Sequence, residues 1–305
     1  MGDVRFDGRV ILVTGAGRGI GRSHALLLAS RGAKVVVADN GSTIHGASSD
    51  KGPAQSVVDE IKAAGGEAVA CTADLSIEAG ATEAVTTATK TYGRIDGILH
   101  NASIVPDLVT ADKLSSHDID LVLRINTYAS FWMVRAAWPH MLKQKYGRIL
   151  LTTSVGIYGQ EGTSPYCASK AAAIGIMRPL FVEGEPHGIH INVVGPSANT
   201  RMTAEHLTGA YGEWLAKTMP PEKISAAAVY LMSEDCKITG EIFTLGGGRI
   251  GRMQLSETEG VIGSGMSLEE TRDLMPKVMA DTKLFFPKKL AERSKKVAEL
   301  LGFKF

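Results

Sequence analysis

Two groups of residues in this 305-residue chain have the types and spacing to do chemistry. Tyr166 and Lys170 stand four apart, and on a helix that spacing puts both side chains on one face. A phenol with a free pKa of about 10 is a poor base at neutral pH, but a neighbouring ammonium favours the phenolate and lowers that value. The couple is a candidate for proton transfer, although with seven tyrosines in the chain one such spacing arises readily by chance. The second group is Thr14-Gly-Ala-Gly-Arg-Gly-Ile-Gly21. Glycines at Gly15, Gly17, Gly19 and Gly21 permit a tight turn, let the backbone approach a phosphate and allow a helix to pack closely on a strand. Arg18 and Ile20 lie in the same turn. A strand ending at Thr14 and a helix starting here would aim the helix N-terminus at a dinucleotide pyrophosphate.

Other polar residues fall where such a ligand would extend. Asp39 ends the second expected strand, eighteen residues past Gly21, where an acid accepts hydrogen bonds from ribose hydroxyls and repels a 2′-phosphate. That favours NAD over NADP, though Arg18 or Lys34 could each meet a phosphate, and a turn-forming acid is the alternative for Asp39. Asp74 and Asn101 follow the third and fourth expected strands, near where adenine and ribose should lie; a helix cap or turn is an equal reading of each. Ser154 closes the fifth, twelve residues before Tyr166, so its hydroxyl could hold a substrate oxygen beside the phenol, with Thr153 as rival. Asn126 falls inside an expected helix, where asparagine has modest propensity and a structural amide is plausible.

The elements that must position these residues alternate along the chain. Short β-branched runs occur at Arg9–Thr14, Ala33–Asp39, Glu67–Thr72, Ile95–His100, Arg148–Ser154, His190–Val194 and Glu241–Leu245, separated by alanine- and leucine-rich stretches of helical length. The runs are continuously apolar, which predicts an α/β fold: a doubly wound, seven-stranded parallel sheet of Rossmann type over residues 1–248. Ligands of such sheets sit beyond the carboxyl ends of the strands, where the motifs fall. Asn40 to Gly52 has no periodicity and reads as a surface insertion or as the border of an adenosine site. Pro196 to Pro221 reads as a lid whose Met202, Trp214, Leu215 and Met219 either line a cleft or simply pack. Residues 249–305 are expected to be a helical C-terminal extension, with helices over Ser267–Val278 and Lys288–Leu301.

Composition narrows the partners. Thirty-three basic and thirty-two acidic residues leave a net charge of +1, so no global field recruits nucleic acid or an anionic membrane. Cys71, Cys167 and Cys236 are scattered, as free thiols in a reducing compartment are. The one close histidine pair, His187 and His190, lacks cysteine or acid partners, and no metal is expected. No charged-then-apolar leader opens the sequence and no apolar run approaches the roughly 20 residues that cross a bilayer, which predicts a cytoplasmic protein without a membrane partner.

As an ordered set, Thr14-Gly-x-x-x-Gly-Ile-Gly21, Asp74-Leu75, His100-Asn-Ala-Ser103, Asn126, Ser154, Tyr166-x-x-x-Lys170 and Pro196 with Thr200 resemble the short-chain dehydrogenase/reductase family over about residues 8–250. The long loop after Asp39, Arg135–Met141, Gly156-Ile-Tyr-Gly159, Arg201-Met-Thr203 and the extension look like the (3R)-hydroxyacyl-CoA dehydrogenases of that family. The resemblance implies hydride transfer between NAD and a secondary alcohol or ketone, with a 3-hydroxyacyl-CoA as leading substrate. A steroid, polyol or other hydrophobic alcohol is the alternative, and a dinucleotide sensor without turnover the third reading. It further implies Tyr166 as general acid or base and Ser154 as holder of the substrate oxygen. Lys170 would bind the nicotinamide ribose and depress the Tyr166 pKa, and Asn126 would anchor a water leading protons to solvent. Leu75, Asn101, Ala102, Ser103, Pro196 and Thr200 would line the coenzyme. Three departures stand out: Ser103 and Ser197 replace usual glycines, and Ser154 to Tyr166 is one residue short. A homodimer or homotetramer packed through helix Ser164–Leu180 and the helix before it is also implied.

Overall fold

The structure, a computed structural model, describes residues 2–46, 52–201, 203, 209–265 and 267–303. Met202 and residues 47–51 of the loop after Asp39 lie outside the described residues. Two units result, Met1–Arg252 and Met253–Phe305.

In the first unit, β1 (Val10–Thr14), β2 (Lys34–Ala38), β3 (Glu67–Cys71), β4 (Gly97–His100), β5 (Gly147–Thr152), β6 (Ile189–Ser197), β7 (Ile242–Gly246) and β8 (Arg249–Met253) form one sheet in the order β3-β2-β1-β4-β5-β6-β7-β8. Every residue of β1 is buried, as a strand covered on both faces requires. Its register pairs Thr14 with Ala38 of β2 on one side and with His100 of β4 on the other. Three strand ends therefore stop level with one another. The winding reverses between β1 and β4, and that reversal opens a crevice at those ends.

Helices α1 (Gly19–Ser30), α2 (Gly52–Ala63), α3 (Glu78–Tyr92), α4 (Ser116–Leu123), α5 (Ala129–Gln144), α6 (Ser164–Gly184), α7 (Gly209–Thr218) and α8 (Glu222–Met232) belong to the same unit. From α1, Ala25 and Leu28 enter a core shared with Ile11, Val35, Val57, Ala228 and Met232, and this burial holds the N-terminus of α1 at the end of β1. Each fully buried side chain the size of Leu28 contributes about 2 kcal/mol.

The sheet has eight strands where seven were expected. The apolar pattern breaks at Gly247-Gly248, which reads as the end of the sheet, but both glycines have positive φ (58° and 91°) and form a tight hairpin turn into β8. Strand β8 is an edge strand whose Arg252 guanidinium bonds the Glu241 carboxylate at 2.8 and 2.9 Å, and its mostly exposed residues give no apolar signal.

The second unit is not purely helical. It pairs two short strands, β9 (Glu257–Thr258) and β10 (Leu284–Phe285), and holds α9 (Leu268–Ala280) and α10 (Leu290–Leu300). Ser267 caps α9, its Oγ accepting the Glu270 N–H at 3.0 Å. Among the described residues no helix is long and apolar enough to cross a membrane, and no cluster of three metal-ligating side chains occurs.

Candidate active site

A cleft of about 650 Å³ opens beyond the carboxyl ends of the sheet. Of the residues singled out from the sequence, Gly15, Arg18, Gly19, Ile20, Asp39, Asp74, Leu75, Asn101, Ala102, Ser103, Ser154, Tyr166, Lys170, Pro196 and Thr200 line it. Gly17, Gly21 and Asn126 stand behind the lining.

At one end the glycine turn is bare backbone because nothing larger fits. A Cβ on Gly15, where φ is +61°, would lie 2.8 Å from the Ala102 Cα; one on Gly21 would lie 2.1 Å from the Gly15 carbonyl oxygen. Gly21 thus serves the packing of α1 on the turn. The turn is stapled to the end of β4: Asn101 Nδ2 donates to the carbonyls of Thr14 and Gly15 at 3.3 and 3.2 Å. The side-chain nitrogen of Asn101 is therefore committed to the protein. Asp39 is similarly engaged, its carboxylate accepting the Gly17 N–H at 2.8 Å and the Gly41 N–H at 2.7 Å. Asp74 accepts the backbone N–H and the hydroxyl of Ser76, both at 2.8 Å, forming the turn before α3.

His100, the last residue of β4, is buried at this end. The Thr14 hydroxyl accepts the N–H groups of Asn101 and Ala102 at 3.1 and 3.0 Å, and lies 2.8 Å from His100 Nδ1. With both lone pairs occupied, its proton goes to Nδ1, which makes His100 a neutral imidazole protonated on Nε2. Burial, reinforced by the charge of Lys170, pushes its pKa down to about 3.

At the other end, Tyr166 and Lys170 share one face of α6 as their spacing predicts, with Lys170 Nζ 5.9 Å from the phenol ring centroid. Lys170 is buried and donates to the Thr152 carbonyl at 3.1 Å; burial brings its pKa down to about 7. The expected lowering of the Tyr166 pKa is reversed. Burial raises it, and the hydrogen bond with Ser154 opposes the rise only in part. The ammonium is itself desolvated and bonded elsewhere, so desolvation of the phenolate outweighs it. The serine and threonine separate cleanly: Thr153 turns inward to donate to the Lys170 carbonyl at 2.8 Å, whereas Ser154 meets the phenol and accepts the Gly156 N–H at 2.9 Å.

Asn126 sits in a π-helical turn, Arg124–Tyr128, that separates α4 from α5. Its Oδ1 accepts the Ile104 N–H at 3.0 Å, and its Nδ2 donates to the Ile104 carbonyl and the Ser169 hydroxyl, both at 3.0 Å. Ser169 Oγ in turn donates to the Tyr166 carbonyl at 2.7 Å. Both amide N–H groups are spent, while Oδ1 keeps a second acceptor site. The side chain joins the loop after β4 to the helix that carries Tyr166.

The lining also includes an apolar set, Ile104, Val105, Leu108, Val155, Tyr211 and Leu215, with Gln160 and Thr163 among the polar residues. Leu215 is the one described residue of the expected lid quartet to line the cleft; Trp214 stacks on Tyr211 with ring centroids 5.5 Å apart, and Met219 packs at Gly246. Asn40, Ser42, Thr43 and Ile44 also line the cleft. Nothing in their spacing marks them, since the stretch has no periodicity and only its position after Asp39 hints at a ligand.

A family profile described as short chain dehydrogenase matches residues 9–209. This chain belongs to the short chain dehydrogenase family. Among members of the family, peroxisomal multifunctional enzyme type 2 of Mus musculus is 40% identical over 303 residues, covering 98% of this chain and 40% of that protein. The peroxisomal hydratase-dehydrogenase-epimerase of Saccharomyces cerevisiae is 38% identical over 262 residues, 86% of this chain and 28% of its own length. The full-length structure of peroxisomal multifunctional enzyme type 2 from Drosophila melanogaster superposes with a TM-score of 0.80 at 32% identity, covering 98% of this chain and 50% of that one. The chain thus spans half or less of the length of these relatives.

Proposed function

We propose that the protein transfers hydride between a nicotinamide dinucleotide and a secondary alcohol or ketone, with 3-hydroxyacyl-CoA thioesters as the substrate class. The observation that carries the reading is the convergence of Tyr166, Ser154 and Lys170 in the cleft that also holds the glycine turn. The turn fits a dinucleotide because Gly15, Gly17 and Gly21, where a Cβ would collide, keep it close-packed, and Gly19 adds positive-φ backbone at the N-terminus of α1. When bound, the nicotinamide supplies or receives the hydride. Tyr166 gives or takes the proton at its hydroxyl, Ser154 holds the substrate oxygen, and Lys170 holds the ribose and favours the phenolate whenever it is charged. Asn126 positions: it locks Ile104 and, through Ser169, the first turns of α6. Asp39, already anchored by Gly17 and Gly41, is placed to accept a ribose hydroxyl and favours NAD over NADP, the two coenzymes of the family.

The substrate class rests on the relatives' dehydrogenase names and on the apolar set in the cleft lining. That set equally supports a steroid or other hydrophobic alcohol; a sensor without turnover has no use for a buried proton couple. Catalysis is assigned to residues 1–248, with the remainder an extension, and the enzyme to a homodimer or homotetramer through α5 and α6, where Phe131 and Val182 are exposed. Two relatives are named peroxisomal, so cell fractionation chooses between that compartment and the cytoplasm expected from sequence.

The test is a panel of (3R)- and (3S)-hydroxyacyl-CoA thioesters, a steroid and a polyol with NAD or NADP, read by NADH or NADPH absorbance. Tyr166→Phe is expected to lower kcat on the accepted substrate by about 10²- to 10⁴-fold while coenzyme still binds. Turnover of none of the thioesters sinks the substrate class, and undiminished turnover by the phenylalanine variant sinks the mechanism.

A further inference from the structure

Sheet order puts β1 between β2 and β4, and the three strands end level at Ala38, Thr14 and His100. The glycine turn leaves the middle strand. The chains leaving the two outer strands are tied to each other beyond it: the Val105 N–H donates to the Ile44 carbonyl at 3.0 Å, and His45 Nδ1 lies 3.1 Å from the Val105 carbonyl oxygen. A carbonyl only accepts, so Nδ1 carries the proton and donates. Asp107 Oδ1, at 3.8 Å from the same nitrogen, is beyond hydrogen-bond distance. Next to the pin, Gly46 (φ +81°) closes so tightly that a Cβ there would lie 3.2 Å from Leu121 and 3.3 Å from Ile104. The near end is held as well, because Asp39 accepts N–H bonds from Gly17 in the turn and Gly41 in the segment. Between the two pins, Asn40, Ser42, Thr43 and Ile44 line the cleft, as do Asn101 to Val105.

We infer that residues 40–46 form a strap that holds a bound dinucleotide against the glycine turn, and that His45 is the positioning residue that pins it. The inference rests on the coenzyme reading of the cleft. A ligand seated on the turn lies beneath a bridge from β2 to β4, and its departure requires the two bonds to Val105 to open. The far pin also falls next to Ile104, which Asn126 holds to the catalytic helix, so the strap joins the coenzyme end of the cleft to its apolar lining.

The test measures NADH release by stopped-flow fluorescence after displacement with excess NAD, in the full chain. His45→Leu removes the donor and is expected to release NADH about fivefold faster, the effect of one hydrogen bond. His45→Asn, whose side-chain nitrogen takes the place of Nδ1, is expected to restore the slow release. Equal rates in His45→Leu and the parent protein, or an asparagine variant as fast as the leucine one, overturn the strap. In the parent protein itself, saturating NADH is expected to slow amide hydrogen exchange at Val105 at least about tenfold, because the bound ligand disfavours the opening that exposes this amide; exchange that ignores NADH overturns it too. A parent protein that binds no NADH overturns the coenzyme reading instead, so the two failures are distinct.

Discussion

Lowering the pH from 7.5 to 5 should cost this protein about 4 kcal/mol of stability through two buried histidines. His24, whose Nδ1 lies 2.8 Å from Ser225 Oγ, and His100 at the end of β4 both have pKa values driven down to about 3 by burial. The unfolded chain takes up these protons near pH 6.5, about 3.5 units above the folded form. Because the folded pKa is depressed, the contribution to stability is fully present above pH 6.5 and is lost progressively as pH falls toward 3. At pH 5 each histidine has forfeited about 2 kcal/mol, and below pH 3 about 5 kcal/mol. Most carboxylates titrate lower, so the two imidazoles dominate this window; Lys170, brought down to about 7 by burial, and half-buried His190, lowered by burial and by Arg148, add smaller shares. The assay is urea unfolding followed by circular dichroism at pH 7.5 and 5 in the parent protein, His24→Asn, His100→Asn and the double variant. Each single variant should remove about 2 kcal/mol of the loss, and the double variant should leave only the smaller share of Lys170 and His190. A pH dependence unchanged in all three would refute the claim that these imidazoles are held neutral.

Two further expectations concern the site. Asn126→Leu removes three buried hydrogen bonds and strands the N–H and carbonyl of Ile104, so urea unfolding should show a loss of about 3 kcal/mol; a change under about 0.5 kcal/mol would mean the loop repacks without it. Gly21→Ala drives a methyl to within 2.1 Å of the Gly15 carbonyl, so fluorescence titration should show NADH affinity reduced by more than about tenfold, equivalent to about 1.4 kcal/mol; unchanged affinity would show that the turn is not the cradle.

By itself the sequence determined what local patterns encode. Continuous apolar runs such as Val10–Thr14 specify strands buried on both faces, and helical stretches between them specify parallel crossovers, because burial and connection length leave few other solutions. The glycine turn and the Tyr166–Lys170 spacing were legible for the same reason: each places its groups through one stretch of backbone. What depends on residues far apart in the chain was decided only by tertiary structure. The hairpin at Gly247-Gly248 looks like a terminus until β7 offers β8 an edge. Whether Ser154 or Thr153 meets the phenol turns on which hydroxyl finds the Lys170 carbonyl. The direction of the Tyr166 shift depends on how deeply two side chains are desolvated, a property of packing that spacing does not carry. The strap, the engaged amide of Asn126 and the neutral imidazole of His100 are likewise products of long-range contacts, formed once β1, β2 and β4 bring their ends together.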